Sequence, residues 1–369
     1  MDERNVTLAK NLVNYSCKIQ PGERVLIAAV GHSVQPLVKQ LIREVYNIGA
    51  FPYIDIQEPS ITRELMMGCQ PKQLDFLSEF EMVRMKGMDA FIGVRGNENS
   101  NELADVPEEK QLLYGDKTSD VLYERVDNTK WVVLRYPTNA MAQASKMSFE
   151  QFESFYYKVC NLDYGKMQQA MTKLTDLMEQ TDTVRITGDE TDLIFSIKGI
   201  NSVACAGDRN IPDGEVFTAP VRNSVNGKLK YNIPSVYNGF TFENIKFEFR
   251  DGKIINATSN DTARLNKILD MDEGARYIGE FAFGVNPYII KPINDILFDE
   301  KIMGSFHFTP GKAYDTAFNG NKSKIHWDLI CVQTEEYGGG SIYFDDVLIR
   351  ENGLFVLDEL KNLNPENLI

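Results

Sequence analysis

The stretch VLIAAVGHSVQPLVKQLIREVYNIGAFPYIDI, residues 25–56, outlines the first half of the fold. VLIAAV is short, branched and apolar throughout, as a strand buried on both faces would be. GHSVQ reads as a turn. PLVKQLIREVYNIGA then spaces its apolar residues at helical intervals, and FPYIDI is a second strand. Strand, helix and strand in that order predict a parallel sheet with helices packed on it. Two further runs, AFIGVR (90–95) and KWVVLRYP (130–137), extend the same sheet, and Leu8, Leu12 and Val13 mark a helix before it. The first strand-to-helix turn lacks the GxGxxG spacing that a pyrophosphate requires. His32, on that turn, is therefore read as a loop residue.

Residues 148–180 form a long helical stretch, with Phe152, Phe155, Tyr156, Val159, Leu162, Met171, Leu174 and Met178 at helical spacing. The phase slips once, near Asp163-Tyr164-Gly165. This Met and aromatic stripe is read as core. Beyond it the texture changes to short alternating segments (TVRITG, DLIFSIKG, KFEFRDGKIINATS, GSIYFDDVLIRENGLFVL), with turn chemistry at Asp251-Gly252 and Glu351-Asn352-Gly353. Gly338-Gly339-Gly340 is read as a turn, because no helix follows it to make a phosphate cradle. The expectation is an α+β chain of two domains. Residues 1–180 make an N-terminal α/β domain with a mostly parallel sheet and a bridging helix. Residues 181–369 make a β-rich, barrel-like α+β domain.

With 369 residues, 43% of them hydrophobic and 25% charged, the chain has the material for two cores. No run approaches the roughly 18 apolar residues of a membrane span, and the charged N-terminus has no apolar signal core, so a cytoplasmic protein without a membrane partner is expected. A net charge of −14 argues against a nucleic-acid partner. The five scattered cysteines form no CxxC pair, which predicts reduced core residues and no thiolate zinc site.

Three histidines in the chain make their placement informative. In KIHWDLI (324–330) an extended backbone would put His326 and Asp328 on one face and Ile325, Trp327 and Leu329 on the other. The same half holds IPDGEVFTAP (211–220), DEGARYIGEFAFG (272–284) and ILFDEKIMGSFHFTPGKAY (296–314). Their carboxylates and imidazoles, Glu215, Glu280, Glu300, His307, His326 and Asp328, recur in apolar surroundings. Ionised carboxylates are rarely buried there unless paired or bound to metal. Nitrogen and oxygen donors without thiolate suit Zn²⁺, Co²⁺ or Mn²⁺. A 2-His-1-carboxylate iron site would need another histidine after His326, and the chain has none.

The ordered series PTNAMAQ (137–143), GDETDL (188–193), EVFTAP, DEGARYIGE, the DE pair before a histidine, Gly-Lys-Ala-Tyr and His-x-Asp resembles the M29 (aminopeptidase T/S) family of metallo-aminopeptidases over nearly the whole length. That resemblance implies a homodimer with an N-terminal α/β domain and a C-terminal catalytic domain. It also implies two divalent metal ions per chain (Zn, Co or Mn) and release of N-terminal residues from peptides with a free N-terminus. Carried over position by position, the metal ligands are Glu215, Glu280 as the bridge, Glu300, His307, His326 and Asp328, and the catalytic residues are Glu280 and Tyr314. Two departures stand out: the segment from Glu300 to His307 reads as two residues longer than the family's, and Phe308-Thr309-Pro310 replaces a more helical segment. The alternative is a non-catalytic or differently specific metal-binding protein of the same fold.

Overall fold

The computed structural model describes residues 2–369. The chain forms two compact units, Met1–Asn161 with Gly207–Pro212, and Leu162–Ala206 with Asp213–Ile369. In the first, strands β1 (Arg24–Val30), β2 (Phe51–Gln57), β3 (Ala90–Arg95) and β4 (Lys130–Arg135) pair in parallel in the order β2-β1-β3-β4. The expected parallel sheet is present. The crossover helix Gln35–Asn47 has a proline in its first turn and buries Leu37, Val38, Leu41 and Val45, one face of a 3.6-residue period. His32 lies exposed on its turn beside Gln35.

The 148–180 stretch is two helices, Phe149–Cys160 and Tyr164–Gln180, capped by Ser148 and Asp163. The break coincides with the phase slip, because the Asp163 carboxylate accepts the backbone N–H of Lys166 and starts a new helix. Phe152, Tyr156, Val159, Met171, Leu174 and Met178 are all buried, so the stripe is core. All five cysteines are free thiols, and only Cys205 is partly exposed.

The second unit contains β5 (Thr183–Gly188), β6 (Thr191–Ser196) and β7 (Val203–Cys205); the intervening β8 (Asn210–Ile211) pairs instead with β4 of the first sheet. Then follow β9 (Glu215–Thr218), β10 (Asn226–Lys230), β11 (Ser235–Tyr237), β12 (Phe240–Phe242), β13 (Lys246–Arg250), β14 (Lys253–Thr258), β15 (Ile278–Gly284), β16 (Ser305–Pro310), β17 (Ile330–Val332), β18 (Ser341–Phe344), β19 (Val347–Glu351) and β20 (Leu354–Phe355). They build an eight-stranded sheet, β14-β13-β10-β6-β5-β18-β19-β20, and a five-stranded sheet, β17-β16-β15-β9-β7, beside the hairpin β11-β12. Phenylalanines join the two large sheets. Phe195 of β6 meets Phe281 of β15 at 5.1 Å and Phe308 of β16 at 5.0 Å between ring centroids, and Phe283 packs on Phe344 and Phe355.

The expected turns have the backbone that a two-residue hairpin demands, with positive φ at Asp251 and Gly252 and at Asn352 and Gly353. Asp345 and Asp346 adopt the same conformation between β18 and β19 without a glycine. Without a glycine, this turn is hidden inside GSIYFDDVLIRENGLFVL in the sequence. Among the described residues no helix is long and apolar enough to cross a membrane.

Candidate metal centre

The five-stranded sheet has two chemically different faces. Along β15, Phe281 and Phe283 point into the phenylalanine layer, so Glu280 and Ala282 point the other way. Along β16, Phe306 and Phe308 alternate in the same manner with His307 and Thr309. β15 and β16 are antiparallel with Ala282 opposite His307, and β9 flanks β15 with Glu215 opposite Gly284. Three local alternations of period two thus put Glu215, Glu280 and His307 on one face, each from a different strand.

The register of β15 slips between Ile278 and Glu280. The residue between them is Gly279, where a Cβ would lie 2.3 Å from the Lys312 carbonyl oxygen and 2.4 Å from that of Gly311. Only glycine fits there. Gly311, at φ 109°, in turn lets the 325–328 segment approach, since a Cβ would stand 2.1 Å from the Ile325 carbonyl oxygen.

That segment is extended, but the regular strand β17 begins only at Ile330. Before it, a single antiparallel bridge ties His326 to Gly311. The alternation expected of KIHWDLI still holds: Ile325, Trp327 and Leu329 are buried, and His326 Nε2 lies 3.2 Å from Asp328 Oδ1. Two neighbours fix these donors. The Lys312 carbonyl is 2.8 Å from His326 Nδ1 and accepts its proton, so that Nε2, which faces Asp328, is the nitrogen that would turn to a metal, the usual support for a ligating imidazole. Thr309 Oγ1 donates to Asp328 Oδ1 at 2.8 Å.

The side chains converge as two groups of three. Glu215, Glu280 and His307 form one, Glu280, His326 and Asp328 the other, with the ligand atoms in each within 4.8 Å of one another. Glu280 belongs to both. Its Oε1 is 2.8 Å from His307 Nε2 and its Oε2 is 3.9 Å from His326 Nε2, while Glu215 Oε2 is 3.6 Å from His307 Nε2. Glu300 stands outside both groups of three and forms an ion pair with Lys301. Tyr314, part-exposed, lies tilted against the His326 ring at 4.5 Å and edge-on to Phe217 at 6.0 Å between centroids.

Burial pushes the carboxyls of Glu215, Glu280 and Glu300 above the usual carboxylate range, against the pull of Lys301 and His307. Burial would depress His307, but Glu280, Glu215 and Asp328 reverse it and lift the imidazole to about 9. His326 is lifted in the same way to about 10, chiefly by Asp328. Burial opposes ionisation of Asp328 too, yet the His326 ion pair holds it well below the usual range. Burial, then the surrounding carboxylates, push the Tyr314 phenol up. Burial sets the direction for the three glutamates and the phenol, and the carboxylate–imidazole pairs set it for His307, His326 and Asp328.

The donors fit divalent metal. Buried Glu215 Oε2 and Glu280 Oε2 have no hydrogen-bond partner, although both face the imidazoles. Orphaned carboxylate oxygens inside a protein need a cation. These two groups hold only nitrogen and oxygen ligands, which suits a divalent metal, while a third close group, Cys205, Asp213 and Glu215, adds a thiol beside Glu215.

The family model of the thermophilic metalloproteases (M29) matches residues 1–355. The chain belongs to the M29 metalloproteases. Among M29 relatives, aminopeptidase 2 of Geobacillus stearothermophilus is 23% identical over 85% of each chain. Aminopeptidase PepS of Streptococcus thermophilus is 22% identical over 87% of this chain and 90% of its own. Wild-type AmpT of Thermus thermophilus has the same fold, at a TM-score of 0.79 and 20% identity, over 96% of this chain and all of that one. The family expected from the motifs is the one found. No role for Lys301, Thr309 or the Lys312 carbonyl is legible in sequence. Asp299-Glu300-Lys301 reads as an ordinary charged triplet, and a carbonyl leaves no trace in sequence.

Proposed function

We propose that this M29 enzyme holds two divalent ions, one between Glu215, Glu280 and His307 and one between Glu280, His326 and Asp328, and removes N-terminal residues from peptides. The observation that carries the reading is the shared carboxylate: Glu280 is common to both groups of three. When bound, the ions supply Lewis acidity toward the scissile carbonyl and bring the pKa of attached water near neutrality. The chain's own groups do the rest. His326 is oriented through Nδ1 by Lys312. Glu280 or Glu215 accepts the proton of the attacking water and returns it to the leaving amine. The phenol of Tyr314, protonated at neutral pH, donates to the carbonyl oxygen as negative charge develops there. Zinc, cobalt and manganese all suit these donors.

Metal analysis of purified protein should return close to two divalent ions per chain, with hydrolysis of peptides lost on chelation and regained on adding metal back. Full activity from protein stripped of metal would sink the reading.

The protein acts, in this proposal, as a homodimer in the cytoplasm, without a nucleic-acid or membrane partner. Support for the dimer lies in the first unit. β2 ends its sheet with an unpaired edge and exposes Phe51, Tyr53, Ile54 and Ile56. The helix Pro71–Lys86 exposes Phe76 (72%), Phe80 (61%) and Val83 (76%) as one stripe. A second copy would cover such surfaces. Sedimentation should give a dimer that Phe80→Glu shifts toward monomer; a wild-type monomer at micromolar concentration would refute it.

A further inference from the structure

Lys301 is a fully buried lysine beside a cluster of carboxylates and imidazoles with one thiol, Cys205. Its ammonium pairs with Glu300 and lies 3.7 Å from Glu215 Oε2 and 4.0 Å from Asp213 Oδ1. The backbone holds it in place. The Lys301 N–H donates to the Phe298 carbonyl at 3.0 Å, and its own carbonyl accepts from Asn286 N–H at 3.1 Å. Asn286 Nδ2 in turn donates to the Asp213 carbonyl at 2.8 Å. With its backbone anchored and its ammonium fully buried among three carboxylates, Lys301 carries a fixed charge and is not a mobile arm.

Its placement is one-sided. Glu215 belongs to the first group of three and lies beside the ammonium, whereas none of the ion pairs of His326 or Asp328 involves Lys301. At 3.7 Å the ammonium attracts Glu215 Oε2 without hydrogen-bonding to it, so that oxygen stays open to a second cation. A metal ion entering between Glu215, Glu280 and His307 must therefore settle next to a positive charge already in place, in surroundings where water screens little. An ion between Glu280, His326 and Asp328 meets no such neighbour.

We propose that Lys301 is a positioning residue that makes the two metal positions unequal: it keeps Glu215 and Glu300 aligned while weakening metal binding at the Glu215 position. The position at His326 and Asp328 fills first, and the ion beside Lys301 is the exchangeable one. This rests on the two-ion reading above.

The test is calorimetric titration of metal-stripped protein with Mn²⁺. Wild type should show two binding events of unequal affinity. Lys301→Met should tighten the weaker event by about tenfold or more, because the competing charge is gone, while Lys301→Arg should keep the two events apart. The Tm gain on adding Mn²⁺ should also be larger for Lys301→Met than for wild type, by linkage. A lysine that merely supports the fold would lower Tm equally with and without Mn²⁺ and leave the isotherm unchanged; that result, or a weakened event, overturns the proposal. If Lys301→Met does not fold, the double variant Lys301→Met/Glu300→Gln removes the ion pair as a unit and must show the same tightening. Two equal events in wild type refute the proposal without any variant. Fewer than two ions at saturation refute the two-ion reading instead.

Discussion

Glu280→Gln should lower kcat by about 10³-fold or more and strip at least one metal ion from the protein, while the fold survives. Glu280 is almost wholly buried and belongs to both groups of three. An amide has nearly the same volume, so no cavity opens. It has lost the negative charge, however, and can present only one oxygen where a bridge needs two. Lewis-acid stabilisation is worth several kcal/mol, and each ~1.4 kcal/mol is a factor of ten in rate. The loss therefore compounds if both ions are weakened. Metal content and kcat measured on the same preparation decide the matter; a variant keeping two ions and near wild-type turnover would place the chemistry elsewhere. Tyr314→Phe in the same assay supplies the contrast. It should keep both ions and lose on the order of 10² in kcat, the usual cost of one oxyanion donor. A change confined to KM would remove Tyr314 from that role.

An N-acetylated peptide should resist the enzyme while its free-amine twin is shortened one residue at a time. A chain end differs chemically from a chain middle by its α-amine. The cluster surrounds that amine's site with carboxylate oxygens, from Glu215, Glu280, Glu300 and Asp328, more than metal ligation uses. An ammonium would pair with such an oxygen, and a neutral amine would ligate metal. Acetylation removes both the charge and the basic lone pair, so both modes fail together, and an uncharged amide must then desolvate a carboxylate without compensation. Mass spectrometry of the two peptides after equal incubation reads the outcome. Equal cleavage of both, or cuts within the chain, would make the protein an endopeptidase or some other hydrolase.

Much of this was legible in one dimension. Residues 25–56 announced the parallel sheet, because a central strand must be apolar on both faces and a crossover helix on only one. The turns at Asp251-Gly252 and Asn352-Gly353 were legible through their backbone demands, and the one at Asp345-Asp346 was not, because aspartate is common outside turns. The helix break at Asp163 was visible as a phase slip, and its cause, a capping carboxylate, lies in the residue itself.

The residue types of the centre were likewise written in the chain: alternating apolar and ligand positions around Glu280, His307 and His326 define which face each side chain takes. Their meeting was not. His307 reaches Glu280 across 27 residues only because β15 and β16 pair in one register, which the bulge at Gly279 sets against the Lys312 carbonyl. Glu300 and Lys301 mark the boundary most sharply. In sequence they are a charged pair like many on a surface, and in the folded chain Lys301 is sealed off and ion-paired with Glu300 next to Glu215. Period and propensity follow from a residue and its near neighbours, so sequence determines them. Whether a charge meets water, a counter-ion or a metal depends on groups far away in the chain, and only the tertiary structure brings those to it.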